Sequence, residues 1–188
     1  MSRPGPGSAA SRWGWHGGQH AAVRPAHPDA AAFLTGQLEY WRRLQRPDAP
    51  AIAGDPVDTF RALAADTRSG GWAGFWYGVA LELLNRDPAA AAAAYTRALE
   101  EAVSRGDLLL ESYVARHLGG QAYDAGETDR AIELMERSYD LRAALGARPH
   151  IAAAQAALAD ALGDTQRAAR LRSAVSATAE ELGLTWLK

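Results

Sequence analysis

From Asp107 to Gly146 the chain reads DLLLESYVARHLGGQAYDAGETDRAIELMERSYDLRAALG, and the reading of this stretch decides the fold. Asp107 is a suitable N-cap, because its carboxylate accepts from backbone N–H groups that a first helical turn leaves unpaired, and a leucine run follows it. Leu110, Val114, Leu118 and Ala122 recur every four residues and make one apolar stripe, while Ala115, Gly119 and Ala122 keep a flank thin enough for another helix to approach. This helix is expected to run to about Tyr123. Gly126 suits the left-handed conformation that ends a helix, and Thr128 or Glu127 can cap the next one. There Ala131, Ile132, Leu134, Met135, Ser138 and Leu141 form the inward face, and Gly146 followed by Pro149 stops it. The stretch is thus two amphipathic helices folded back on each other across Gly126.

The pair recurs. GETDRA at 126–131 matches GDTQRA at 163–168 with an offset of 37, and Ala91-Ala92 aligns with Ala131-Ile132 at an offset of 40. A glycine in the first helix, a glycine turn, Ala-Ile early in the second helix and a small residue seven positions later resemble the tetratricopeptide repeat, carried here by Leu118, Gly119, Gly126, Ala131, Ile132 and Ser138. The pattern departs in two places: the late aromatic falls at Tyr123 rather than Ala122, and no proline closes the second helix. Periods of 37 and 40 exceed the roughly 34 residues of the commonest such unit. They look like the extended repeats at the C-terminal ends of large bacterial transcriptional regulators, which the chain resembles over about Gly71 to Leu184. The resemblance implies a right-handed α-solenoid of about four helix pairs, with the first helix of each pair on the concave, ligand-bearing side.

Composition agrees with an all-α protein. More than a fifth of the 188 residues are alanine, while isoleucine and valine are scarce. The 20 basic and 22 acidic residues leave a net charge of −2, so there is no electrostatic footprint for nucleic acid or an anionic membrane. Cysteine is missing, which excludes disulfides and thiolate chemistry. No apolar run reaches the roughly 20 residues of a membrane span, and Met1 to His27 lacks the apolar core of a signal peptide. The expectation is a soluble cytoplasmic protein.

Five segments are expected. Residues 1–28, rich in Gly, Pro, Ser and Ala without helical period, read as a disordered tail. Within it Trp13, Trp15, His16 and His20 read as ordinary tail, a partner-docking peptide or a metal clip; the glycines between the histidines disfavour the helix a His-x3-His clip needs. Residues 29–68 read as an N-terminal helix pair, a cap or divergent repeat. Its first helix is capped by Asp29, carries Phe33, Leu34, Leu38, Trp41 and Leu44, and ends among Arg42, Arg43 and Arg46. These arginines suit the negative end of the helix dipole or, alternatively, a basic docking patch. Asp55-Pro56 opens its second helix. Residues 69–106, 107–147 and 148–188 read as three repeats, the last with a C-terminal cap in which Leu184, Trp186 and Leu187 fold back. In the first repeat Trp72, Phe75, Trp76, Val79, Ala80 and Leu83 form one stripe and Tyr77, Leu81 and Leu84 a second, as an inner helix of stacked repeats needs.

No motif for catalysis stands out. Lys188 is the only lysine, which removes the phosphate loop, Schiff-base chemistry and lysine-anchored cofactors together. There is no G-x-S-x-G elbow, H-E-x-x-H pair or calcium loop, so neither metal nor cofactor is expected. Gly70-Gly71 and Gly119-Gly120 read as a helix start and a close helix contact. His117 with Glu111 and His150 with Asp160 are the candidates for acid–base work, and structural hydrogen bonding is their commoner use. The groove pattern of the resembling family, carried onto this chain, picks out Trp72, Phe75 and Glu82, then Tyr113, Arg116, Tyr123 and Asp124, then His150 and Asp160. Aromatic and arginine residues dominate binding hot spots. Two readings stay open: a non-catalytic adaptor, with or without a regulatory role, that binds another protein or peptide, and a small-molecule receptor or enzyme with its pocket at Trp72 and Phe75. Direct reading of nucleic acid is not expected, since the chain has no room for the DNA-binding and ATPase domains of the resembling regulators. Stacking of copies through the terminal helices is a further possibility.

Overall fold

A computed structural model describes residues 28–66 and 71–187. The tail with its Trp/His segment therefore lies outside the described residues, as do residues 67–70 and Lys188. All regular structure described is helical: α1 (Pro28–Gln45), α2 (Pro56–Ala64), α3 (Gly71–Leu83), α4 (Pro88–Arg105), α5 (Leu108–Asp124), α6 (Thr128–Leu145), α7 (Arg148–Leu162), α8 (Gln166–Leu182) and a 3-10 turn at Thr185–Leu187. None of these helices is long and apolar enough to cross a membrane.

The local signals act as the sequence implies. Asp55 accepts from Val57 N–H at 2.8 Å, Asp87 from Ala90 N–H at 3.0 Å, Asp107 from Leu110 N–H at 2.9 Å, and Thr165 from Ala168 N–H at 3.1 Å. Asp29 differs: α1 begins at Pro28, which places Asp29 in the first turn, where a carboxylate still faces the positive helix end. At α6 the cap position is Glu127, and its side chain makes no capping bond.

Backbone punctuation repeats with the sequence. Gly106, Gly146 and Gly183 end α4, α6 and α8 at φ of 67°, 71° and 65°, and the turns inside the pairs pass through Arg86, Gly126 and Gly163 at φ of 57°, 80° and 63°. Both series run at intervals of 40 and then 37 residues. Arg86 is the exception within them, since an L side chain in the left-handed region costs roughly 1–2 kcal/mol. Burial follows the same register. Ala91, Ala131 and Ala168 are fully buried, and Ala98, Ser138 and Val175 seven residues later are buried as well.

By contact the described chain forms two compact units, residues 28–110 and 111–187. The first is built on aromatic rings. Phe60 and Trp76 stack at 5.8 Å, Tyr40 stands edge-on to Trp76 at 5.4 Å, and Phe75 lies between Trp76 and Tyr95 at 6.0 and 5.9 Å. Gly78 makes room for this core: a Cβ there would lie 2.6 Å from the Tyr95 ring. The same unit contains a buried charge. Glu39, 0% exposed, accepts from Arg42 at 2.7 and 2.9 Å, from Arg43 at 2.9 Å and from Ile52 N–H at 3.0 Å, and Arg43 reaches on to Asp55 at 2.7 Å. Arg42 also donates to Ala49 O. These bonds tie the 46–54 linker to α1. Arg42 and Arg43 are thus neither dipole partners alone nor a docking patch; they close over a carboxylate, which is held far below the usual range chiefly by the Arg42 hydrogen bond.

The second unit packs small and aliphatic side chains. Met135, Ala157, Leu158 and Ala161 form a core flanked by Tyr123, Ile132, Tyr139, Leu162 and Leu171. Gly119 sits against α6, with a Cβ there meeting Leu134 and Met135 at 3.2 Å, so the close approach expected of this glycine pair is present. Leu184, Trp186 and Leu187 are half-buried beyond the end of α8, the turn packing against that helix.

Candidate functional site

The side chains with unusual surroundings gather on α5, α6 and α7 within residues 111–187. Ser112, Tyr113 and Arg116 share one side of α5 by helical spacing, and Ser138 and Arg142 are four apart on α6. Ser138 Oγ donates to the Ser112 carbonyl at 2.7 Å, which joins the helices at this level. Arg142 Nε then donates to Ser112 Oγ and its Nη1 to the His150 carbonyl, each at 3.3 Å. The guanidinium carbon stands 4.8 Å from the centre of the Tyr113 ring, and Tyr113 meets His150 edge-on at 5.9 Å. Arg142 is 2% exposed, Arg116 and Tyr113 each 7%, and His150 is half-buried.

This cluster is cationic and no acid balances Arg142. Its Nη2 has no hydrogen-bond partner, and no ion pair joins it to a carboxylate among the described residues. Glu111, one residue from Ser112, is engaged by Arg137 at 2.6 and 2.8 Å. Burial above all, and then the neighbouring Arg116 charge, pull Arg142 down to about 9, with Tyr113 opposing. It remains a cation at neutral pH. Burial and then Arg142 lower His150, whose Nδ1 has no hydrogen-bond partner either; burial raises Tyr113 against the pull of both arginines. A face-on ring returns about 0.5–2 kcal/mol to a cation. Desolvating an ion costs several, so Arg142 is a net expense to the folded unit.

The candidate residues divide. Tyr113, Arg116 and His150 come together here. Tyr123 packs half-buried on the Met135 core, while Asp124 and Asp160 are exposed at the ends of α5 and α7. In the other unit Glu82 accepts from Tyr95 Oη at 2.8 Å, and the half-buried Trp72 donates from its indole nitrogen to Asp107 at 2.9 Å. Phe75 is 0% exposed, so the expectation that it walls a pocket is corrected: its ring is core, drawn in by Trp76 and Tyr95. The proposed acid–base pairs do not form. His150 and Asp160 lie ten residues apart on one helix, roughly 15 Å, and Glu111 is spent on Arg137 rather than His117.

Arg142 is the residue that sequence reasoning missed. The repeat register carried the signal, because Arg142 falls where α4 has Ala102 and α8 has Ala179, both fully buried. No group of three or more metal-ligating side chains occurs among the described residues. No family model matches the chain, and no curated protein matches it.

Proposed function

We propose that this chain is a non-catalytic adaptor, regulatory in role, that binds another protein through an acidic peptide segment or a chain terminus. In this reading the helix pairs stack as a right-handed solenoid of tetratricopeptide-like units, and the first helices of the pairs present the binding face. The observation that carries it is the meeting of Tyr113 and Arg116 on α5 with His150 on α7, aromatic and cationic groups drawn from the first helices of successive pairs. A guanidinium offers forked hydrogen bonds to a carboxylate while tyrosine rings bury the adjoining side chain. The reading of a small-molecule pocket at Trp72 and Phe75 loses support, since Phe75 is core and the Trp72 indole is bound to Asp107.

Selection of random octapeptides against the full chain tests this. The expected ligands are enriched in Asp and Glu or depend on a free terminal carboxylate, and raising salt weakens them. Arg116→Ala is expected to weaken a selected peptide by about 1–3 kcal/mol with helical content unchanged. Peptides without acidic character, or full binding by a Tyr113, Arg116 and Tyr123 triple-alanine protein, would overturn the reading.

A further inference from the structure

We infer that Arg142 is the floor of an oxyanion seat between α5, α6 and α7, which takes one small carboxylate or phosphate group as the counter-charge the protein does not supply. Three observations lead here. First, the fold does not need a long side chain at this position. The equivalent turn of α4 holds Ala102 and that of α8 holds Ala179, each as buried as Arg142, so alanine fills the slot wherever packing alone decides. Second, the guanidinium is placed but not satisfied. Its Nε and Nη1 are held by long contacts to Ser112 Oγ and the His150 carbonyl, and Nη2 has no acceptor. Those two bonds and the Tyr113 ring fix the plane of the fork without using its full donor capacity.

Third, the surroundings favour an anion. Arg116 adds a second positive charge felt at Arg142, and Glu111, next to Ser112 on α5, is directed to Arg137. His150 is the most exposed member of the group, and its Nδ1 is unpartnered. That nitrogen and Arg142 Nη2 are both buried, so an oxyanion reaches them as the half-buried His150 side chain moves aside. An arginine fork suits planar carboxylate and phosphate oxygens, and a bound anion would both satisfy Nη2 and relieve the repulsion between the two guanidinium groups. The seat does not depend on the peptide reading, since a free anion suffices to fill it.

The test measures thermal unfolding of the full chain at constant ionic strength, with chloride replaced by acetate or by inorganic phosphate. Anions excluded from protein surfaces stabilise any fold, so the comparison with Arg142→Met is the readout. The wild-type midpoint is expected to rise about 5 °C more than that of the variant when the anion reaches roughly a hundred times its Kd. Should Arg142→Met not fold, 15N spectra of the wild-type arginine Nε–Hε groups decide: Arg142 and Arg116 are expected to shift on titration while Arg148, ion-paired with Glu181, stays in place. Parallel titrations with a random tetrapeptide pool, as free acids and as amides, separate the sources. A response to acetate or phosphate alone identifies a free anion, and a response to free-acid but not amide peptides identifies a chain terminus. Equal responses of wild type and variant, or unmoved Arg142 and Arg116 signals with every anion, would overturn the seat. A seat that survives while octapeptide selection fails would remove the adaptor reading only.

Discussion

The two units each bury a charge, and they treat it in opposite ways. In residues 28–110 Glu39 is enclosed by Arg42, Arg43 and the Ile52 N–H, so every lone-pair direction that matters is met from within the chain. In residues 111–187 Arg142 is equally enclosed, yet it meets a hydroxyl, a carbonyl, a ring and another cation. A buried ion that is fully paired holds a loop in place. One that lacks its counter-charge costs stability and gives a reason to look for a ligand. The cores differ in parallel: interlocked aromatics in the first unit, alanine, leucine and methionine in the second.

The largest effect that would test this contrast is in the aromatic core. Phe75→Ala is expected to cost about 3–5 kcal/mol in denaturant unfolding, because rings on both sides cannot collapse into the space. A loss under about 1 kcal/mol would mean that the rings do not organise the unit. In the other direction, Arg142→Met is expected to stabilise the chain by about 1–4 kcal/mol in anion-poor buffer, since a buried ion is exchanged for an apolar side chain. Destabilisation would show that Arg142 is satisfied as it stands, and the contrast between the units would vanish.

A smaller gain is expected from Arg86→Gly. Its φ of 57° matches the positions where the later pairs use Gly126 and Gly163, so the exchange should add about 1 kcal/mol and raise the melting temperature by a few degrees. No gain would mean that the left-handed turn is already offset by local bonding. The smallest effect concerns acid. His150 is lowered from 6.5, so below that pH the unfolded chain binds more protons and stability falls as pH drops toward the folded value. Glu39 is lowered from 4.5, so its contribution is present above that value and is lost as pH falls further. Melting temperatures between pH 7.5 and 3 should therefore decline in two stages. Arg142→Met, by removing one cause of the His150 shift, should flatten the first stage and leave the second.

Much of this architecture was legible in the chain. Asp55 and Asp107 cap helices, and the turn at Gly126 recurs at Gly163, because capping and left-handed turns depend on a few adjacent residues. Stripes such as Leu110, Val114 and Ala122 identified a buried face for the same reason, the helical period being local. What a face meets is not local. Phe75 and Trp72 occupy one turn of α3, but only packing decides that the first is core between Trp76 and Tyr95 and the second a donor to Asp107. The same holds for the charges: Arg42 and Arg142 look alike as letters near helix ends. Glu39, three residues before Arg42 on the same helix, is a local partner that packing only buries, whereas Arg142 faces α5 and α7 without a paired acid, since burial is set by elements distant in sequence.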